Sequence, residues 1–509
     1  MKAPLASGHA AAVSGVLLVI FLFAIDSTVV SAAMPTIVGK LGGLELYSWV
    51  FSSYMLTSAL ATPLFGNLSD FYGRRRLMLV GIGLFTLASA LCGAAHGIRQ
   101  LIAFRSLQGI GGGAIYALSF ILIGHLYAPE RRAQIQAIVS GLWGVASILG
   151  PVAGAVITHW LNWRWIFFVN LPICLCAMAL IAFGMSEPGV QRRHRIDVKG
   201  LIALLVGLLF LFCALEQVRR SGFALDWVSA LLSALAVLAL FGFYRIECDA
   251  EEPILPPALL RMRLFKFCLA LAWLASMGMF AVITYLPLYV QGGLGGDAAR
   301  VGLALIPASL GWTAGSFVAG GGMTRYGARA VCVAGSVLMA LGYAIFVVIE
   351  PRLDFALVLA IGALIGLGMG MVTLTSMVAA QNGVPQARLG VATSTVMLAR
   401  MFGGAFGVAV MGSVLFGRMQ AELAALSDIA MPAAARGVLE KLAAPEQLLD
   451  PIMRAGISDS LLASLEGVLR DSVRAAFAAG LAVVILCAAA ALFLPRPESP
   501  PTTDTPKSH

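Results

Sequence analysis

The chain is dominated by long apolar stretches, about fourteen of them by the rule that a helix needs roughly 20 apolar residues to cross a bilayer. Of its 509 residues, 60% are hydrophobic and only 12% are charged, whereas about 25% are charged in an ordinary soluble domain. A water-soluble fold cannot bury apolar surface on this scale. The sequence therefore predicts an all-α integral membrane protein.

The net charge of +9 follows the pattern of a membrane protein rather than that of a nucleic-acid-binding surface. Positive residues gather in alternate short loops, as the positive-inside rule requires for loops that stay in the cytoplasm. We therefore expect a multi-pass protein of the cell (inner or plasma) membrane, surrounded by lipids, with both termini cytoplasmic and no nucleic acid partner. The basic clusters are residues 74–76, 131–132, 192–199, 261–266 and 325–329.

The spacing of the apolar stretches divides the chain into two bundles of about six spans with one further pair between them, as in transporters built from repeated halves. Segments 66–75 and 320–329 share glycines and basic residues, which supports a repeat. We expect a monomer. The expected units are an N-terminal six-helix bundle (11–186), an additional transmembrane helix pair (187–245), a cytoplasmic linker (246–266), a C-terminal six-helix bundle (267–494) with an external loop (418–472), and a disordered cytoplasmic tail (495–509).

Asp26 is the one acidic residue among 25 that lies clearly inside an apolar span. A carboxylate at that depth costs about 2.5–3.5 kcal/mol on insertion scales, so the default interpretation is an ion or substrate site. Arg105 lies inside the fourth span and, at about 1.5 Å per residue, reaches a similar depth. The two side chains are thus candidates for a pair, either as a proton-coupling site or as a static structural ion pair.

The loop after the second span has the pattern Gly66-x-Leu68-x-Asp70-x-x-Gly73-Arg74-Arg75. Topogenic charge alone would explain its arginines, but it would not explain the spacing. The pattern resembles the signature loop of the major facilitator superfamily, with Phe71 where the family commonly has a basic residue. The resemblance implies the major facilitator fold. It also implies a conformational latch between the two halves, formed by Gly66, Asp70, Gly73, Arg74 and Arg75.

Two further motifs carry the resemblance. Arg105, Gln108 and Gly109 match the family's fourth-span pattern RxxQGxG, whose arginine is linked to proton transfer. Gly150, Pro151 and Gly154 resemble the antiporter motif GxxxGPxxGG of exporters, although close helix packing would also explain small residues there. Together with the segments 26–35 and 163–172, these motifs resemble the fourteen-span drug:proton antiporters of the EmrB/QacA type.

Several aromatic residues and a second buried arginine are candidates for a substrate cavity. Aromatic side chains also simply pack in membrane proteins, and an arginine can be bound to backbone carbonyls or reach towards the interface. Both interpretations stay open. The candidates are Tyr54, Tyr116, Trp143, Trp312 and Arg400.

The sequence lacks the patterns GxSxG, HExxH and GxxxxGK[ST], and its eight cysteines have no metal-ligand spacing. We therefore expect neither an enzyme nor a bound cofactor or metal. The motifs instead predict a proton-coupled antiporter that exports amphipathic drugs or toxic compounds by alternating access, with small amphipathic molecules and protons as its partners. The resemblance also implies a periplasmic adaptor in two-membrane bacteria. The alternatives are a dedicated exporter, or less readily an importer, of one metabolite on the same fold, and a non-transporting membrane receptor.

Overall fold

The computed structural model describes residues 4–41, 47–185, 197–221, 226–250, 257–294, 298–349, 354–427 and 459–495. Every regular element in these residues is a helix. The helices are α1 (Pro4–Leu41), α2 (Tyr47–Tyr72), α3 (Arg74–Gly93), α4 (Ile98–Leu126), α5 (Pro129–Trp160), α6 (Trp165–Phe168), α7 (Asn170–Gly184), α8 (Val198–Arg220), α9 (Trp227–Asp249), α10 (Pro257–Arg261), α11 (Arg263–Leu288), α12 (Ala298–Ile349), α13 (Phe355–Asn382), α14 (Leu389–Ser427) and α15 (Asp459–Leu492). A π-helical turn, Tyr289–Gly293, follows α11, and a short 3₁₀ helix, Gln386–Arg388, precedes α14.

Within these residues, 11 helical segments are long and apolar enough to cross a membrane. One of them covers most of α12, whose 52 residues are interrupted by the non-helical conformation of Gly327 (φ 80°, ψ 161°). The 26-residue α2 is rich in hydroxyl side chains and is not among the 11, and α8 contributes only the shorter apolar stretch Lys199–Leu215. The chain is therefore a multi-pass membrane protein, and the count of about fourteen spans stays a prediction.

The helices before and after the middle of the chain pack mainly among themselves. In the first half α2 and α3 pack on α4, while α5 and α7 pack on α1. In the second half α12 packs on α13, α11 packs on α14, and α15 contacts both pairs. Helices α8 and α9 pair with each other, and α8 also touches α2 and α14.

Small residues allow α12 and α13 to pack closely against each other. Gly311 and Gly315 of α12 face α13 so closely that an added Cβ at either would collide with the backbone carbonyl oxygen of Ala363 or Leu367. Gly366 and Gly370 of α13 make the same kind of contact in return. Such close backbone approach is the usual way in which helices associate where lipid removes the hydrophobic driving force.

Helices extend into two of the segments that the sequence places between the spans. Helix α9 runs on to Asp249 and α11 begins at Arg263, so helices occupy both ends of the segment 246–266 that the sequence assigns to a linker. Buried Glu247 lies beside Gly200 at the start of α8, so the end of α9 packs against α8. Residues 251–256 lie outside the described part of the chain.

The expected external loop 418–472 is likewise helical at both ends, because α14 continues to Ser427 and α15 begins at Asp459. Its Ala-rich composition favours helix, and Arg418 and Glu422 form an ion pair of 2.6 Å one turn apart. Residues 428–458 and the tail after residue 495 lie outside the described part of the chain.

One end of the helix bundle is strongly basic, and we call it the basic end. It contains the start of α3 with Arg74 and Arg75, the start of α5 with Arg131 and Arg132, and Arg325 of α12.

Candidate functional site

The carboxylate of Asp26 is held in a fully buried ion pair in the first half of the chain. Asp26 on α1 is 2% exposed and Arg105 on α4 is 1% exposed. The Nη1 atom of Arg105 donates to Oδ2 of Asp26 at 2.9 Å. The pairing that the sequence predicts from matching depth is confirmed as a contact, while its role in proton coupling stays a prediction.

Two amides complete the coordination of the carboxylate. Asn170, the first residue of α7, donates from Nδ2 to Oδ1 of Asp26 at 2.8 Å. Gln108 donates from Nε2 to the same oxygen at 3.2 Å, and its Oε1 accepts a hydrogen bond of 2.7 Å from Arg105. Gln108 therefore bridges both members of the pair, which explains why its match to the fourth-span motif matters structurally.

A second layer of polar groups fixes these amides in place. Asn170 also donates to Oγ of Ser89 at 3.1 Å, and Ser89 donates to the carbonyl of Phe167 at 2.9 Å. The thiol of Cys92 lies 3.6 Å from Oε1 of Gln108. Sequence reasoning missed Asn170 and Ser89 as site residues. The available signal was a polar side chain inside an apolar stretch, the same signal that singled out Asp26.

Arg105 is also covered by an aromatic ring. Its Cζ lies 4.1 Å from the ring centroid of Tyr54 on α2, close enough for a cation–π contact. Neither Nε of Arg105 nor the hydroxyl of Tyr54 has a hydrogen-bond partner among the described residues. Arg105 lies seven residues after Ile98, the first residue of α4, or about 10 Å along the helix axis. Replacing one member of such a buried ion pair by an uncharged residue costs about 3–5 kcal/mol of stability, because the other charge stays buried without a partner.

An aromatic cluster extends from this pair towards the middle of the molecule. The ring of Phe23 lies 6.3 Å from that of Tyr54 and 5.4 Å from that of Tyr116. Trp143 of α5 contacts Phe23 at 5.8 Å and Tyr116 at 6.2 Å between ring centroids. These four residues, Phe23, Tyr54, Tyr116 and Trp143, form the aromatic cluster that connects the ion pair with the cavity described next.

A cavity of about 240 Å³ lies between the two halves of the chain. It is lined by α4 and α5 from the first half and by α11–α14 from the second. Of the expected cavity residues, Tyr116, Trp143, Trp312 and Arg400 line it. Tyr54 does not, because it packs on Arg105 instead. Further lining residues include Phe120, Gln136, Ser140, Phe280, Thr313, Thr373 and Met377.

The expected latch residues lie at the basic end, and two of them touch the second half. Gly66 packs so closely on Ser394 of α14 that an added Cβ would collide with its side chain. Arg74 donates to the carbonyl of Gln386 at 3.3 Å, whereas Arg75 donates to the carbonyl of Ala182 in its own half.

The other two expected latch residues are placed through the backbone. Gly73 lies between α2 and α3 with φ 93°, a left-handed conformation that favours glycine. Asp70 lies in the last turns of α2, and its side chain is outside the described part of the structure.

Further contacts between the halves lie at the same end and were not anticipated. Arg132 donates to Oδ1 of Asn382 at 2.8 Å, and Gln136 donates to Oε1 of Gln381 at 2.7 Å. Gln381 in turn donates to Thr393 at 3.0 Å. With the Arg74 contact, these bonds close the bundle at its basic end below the cavity. A glutamine within an apolar helix was the only sequence signal for Gln136 and Gln381.

The glycine-proline motif of α5 lies against α1 near Asp26. An added Cβ at Gly150 would collide with the side chain of Thr28, which itself contacts the carbonyl of Ala146 at 3.2 Å. Gly154 is buried, and Pro151 continues the helix with its ring outside the described part of the structure. The motif thus sets the distance between α5 and the helix that carries Asp26.

Comparisons with known proteins agree with this architecture. Residues 16–408 match the family model of the Major Facilitator Superfamily. The chain is 32% identical over 501 residues to the "Multidrug transporter protein MdtP" of Bacillus subtilis, covering 95% of this chain and 92% of the relative. It is 31% identical over 485 residues to "Multidrug resistance protein 3" of the same organism, covering 95% and 94%.

Solved structures extend the comparison to the fold. The human organic anion transporter MFSD10 (TETRAN) matches with a TM-score of 0.62 at 16% identity, over 95% of this chain and 99% of that one. A bacterial homologue of the human lysosomal transporter Spinster matches with a TM-score of 0.55 at 14% identity, over 97% and 98%. At these identities the likeness concerns the fold alone. The chain therefore belongs to the major facilitator superfamily, whose members are membrane transporters and not enzymes.

Proposed function

We propose that this transporter is a proton-coupled antiporter of the EmrB/QacA type that exports amphipathic drugs or toxic compounds by alternating access. The observation that carries the proposal is the buried carboxylate of Asp26, paired with Arg105 and joined by the aromatic cluster to a cavity between the halves. The names of the relatives, a multidrug transporter and a multidrug resistance protein, support drugs as the substrate class.

The helical segments are consistent with about fourteen spans. Gly327 divides α12 into two parts, and α2 and α8 are long enough to cross a bilayer in addition to the 11 apolar segments. We infer two six-helix bundles, near residues 11–186 and 267–494, with the pair 187–245 between them. By the positive-inside rule the basic end faces the cytoplasm, and both termini do so too.

In this orientation the described conformation is closed on the cytoplasmic side. The hydrogen bonds that Arg74, Arg132 and Gln136 donate to the second half lie towards the basic end, whereas Thr313 of α12 donates to the carbonyl of Ser140 at 3.0 Å beside the cavity. The cavity then corresponds to an outward-facing state, in which substrate leaves and a proton enters. Alternating access requires these bonds to break when the cytoplasmic side opens.

Protonation of Asp26 is the step that couples the proton to the substrate. A neutral carboxyl group attracts Arg105 less strongly than a carboxylate does. The guanidinium then interacts mainly with Gln108 and with the ring of Tyr54. Any shift of Tyr54 passes to Phe23, and from there to Tyr116 and Trp143 in the cavity wall. Substrate and proton thus act on the same packed side chains.

The proposal is tested by transport in liposomes that contain the purified protein. An imposed pH gradient, acidic on the outward face, should drive transport of the substrate from the cytoplasmic face to the outward face. An uncoupler, which dissipates the gradient, should stop this transport. Accumulation that is unchanged by the uncoupler would contradict proton coupling. A panel of unrelated compounds separates a multidrug exporter from a dedicated exporter of one metabolite.

Replacing Gln136 by Ala should favour opening at the basic end. The change removes a buried hydrogen bond and leaves the amide of Gln381 short of a partner, a loss of about 1–3 kcal/mol. Spin labels at exposed positions 131 and 388, in a cysteine-free background, should report a longer distance between the halves. The matched control is Gln134→Ala on an exposed position of α5, which should leave the distance unchanged. Equal distances in both variants would show that the Gln136–Gln381 bond does not hold the halves together.

Replacing Gly150 by Ala should impair transport by pushing α5 away from α1. The added Cβ would collide with Thr28, two residues from Asp26, and such overpacking costs about 1–3 kcal/mol. Gly83→Ala on α3 is the control, since nothing lies within 4 Å of its added Cβ and alanine favours helix. We expect gradient-driven transport to fall for the first variant and to persist for the second. A Gly150→Ala protein with full transport would argue against a tight α1–α5 contact.

A further inference from the structure

We propose that the cavity between the halves selects small aromatic anions, with Arg400 as the group that binds the carboxylate or sulfonate. The inference rests on the proposed function, because it treats this cavity as the transport site. It goes further by naming the charge and the size of the preferred substrate.

The electrostatics of the cavity wall carry the inference. Arg400 is the charged residue among the described lining residues, and no carboxylate is present in that lining to neutralise it. Its guanidinium makes no hydrogen bond or ion pair with any described residue. It lies eleven residues after Leu389, the first residue of α14, which is about 16 Å into the helix. A cation at that depth normally has a partner, and the open cavity in front of Arg400 offers the place for one.

The geometry suits an anion attached to an aromatic ring. The Cζ atom of Arg400 lies 5.6 Å from the ring centroid of Trp312, and this contact restrains the guanidinium at the cavity wall. A guanidinium can bind a carboxylate or sulfonate through two parallel hydrogen bonds. Tyr116, Trp143 and Phe280 provide ring faces elsewhere in the lining. The volume of 240 Å³ is below the roughly 300–1,000 Å³ typical of drug-sized pockets, so a substrate of one or two rings fits.

The negative charge of Asp26 does not reverse the preference of the cavity for anions. Its carboxylate is already paired with Arg105, is buried, and is not part of the cavity lining. Tyr54 and Phe23 lie between the pair and the cavity aromatics. The aromatic lining by itself would attract cations through ring faces, but the uncompensated charge of Arg400 repels them.

Equilibrium binding to the purified full-length protein tests the inference with three probes on one ring system: naphthalene-2-sulfonate, neutral 2-naphthamide and a 2-naphthyl trimethylammonium ion. The sulfonate should bind at least about tenfold more tightly than either of the others. Arg400→Gln should remove that advantage and leave the affinity for naphthamide unchanged, while Arg400→Lys should retain part of it. Arg263→Gln, at an exposed position outside the cavity, is the control that removes one positive charge elsewhere.

Two results would overturn the inference: tighter binding of the ammonium probe than of the sulfonate, or an unchanged sulfonate affinity in Arg400→Gln. Its failure is separable from that of the proposed function. Sulfonate binding that depends on Arg400, together with transport that ignores the pH gradient, would contradict proton coupling and leave the anion site standing. Gradient-driven transport of the neutral and cationic probes without sulfonate binding would contradict the anion site and leave proton coupling standing.

Discussion

Replacing Asp26 by Asn should abolish substrate accumulation driven by a pH gradient, down to the level of protein-free liposomes. The amide has nearly the same shape as the carboxyl group, but it cannot take up or release a proton. It also leaves Arg105 without its buried anion, since the hydrogen bond of 2.9 Å is then made to a neutral oxygen. Transport of a labelled probe into liposomes measures the effect, with binding of the same probe as the measure of an intact cavity.

Asp354→Asn is the matched control for this substitution. Asp354 is exposed and caps α13 by accepting a hydrogen bond of 2.8 Å from the backbone of Leu357. Asparagine caps helices about as well as aspartate, so the control should transport like the wild type. Gradient-driven accumulation by Asp26→Asn at the wild-type rate would remove Asp26 from the coupling mechanism.

Replacing Arg105 by Met should have the second large effect, on stability as well as on transport. The change leaves the carboxylate of Asp26 buried without its cation, which costs about 3–5 kcal/mol. Thermal unfolding of the purified protein in detergent should therefore show a clear loss of stability. Arg325→Met, at an exposed arginine, should leave stability unchanged.

The double variant Asp26→Asn/Arg105→Met separates electrostatics from packing. It lacks both charges, so it should recover much of the stability lost in Arg105→Met while remaining unable to couple transport to protons. The contact of Arg105 with Tyr54 is missing from both variants and cancels in the comparison. A double variant that is no more stable than Arg105→Met alone would show that the unpaired charge is not the cause of the loss.

The parts of the structure that sequence reasoning could reach are those governed by local rules. Apolar stretches of bilayer length predict a helical membrane protein, and helix rise places Asp26 and Arg105 at the same depth. The motif residue Gln108 falls in the same site, because it lies three residues after Arg105 on one helix face.

The parts that sequence reasoning missed depend on long-range packing. Gln136 and Gln381 are separated by 245 positions and meet only because α5 and α13 approach each other at the basic end. Asn170 contacts Asp26 only because α7, which follows the short α6, begins beside Ser89. Periodicity and hydropathy carry no information on these approaches.

The position of Tyr54 also depends on long-range packing that the sequence does not show. As an aromatic residue in a span, Tyr54 is a candidate either for the cavity lining or for packing between helices. The structure places it on Arg105 instead, since Gly109 and Gly112 let α2 and α4 come close together around it. Helices also extend into the linker and the external loop, because alanine-rich or charged segments next to a span can continue its helix.

Proton release on substrate binding tests most directly whether substrate binding in the cavity is coupled to proton exchange at Asp26. Naphthalene-2-sulfonate, which does not titrate near neutral pH, is added to the purified protein in weakly buffered detergent solution, and the pH is recorded. The wild type should release protons as the probe binds, and Asp26→Asn should bind the probe without releasing any. Equal proton release from both proteins, or none from the wild type despite binding, would contradict the mechanism.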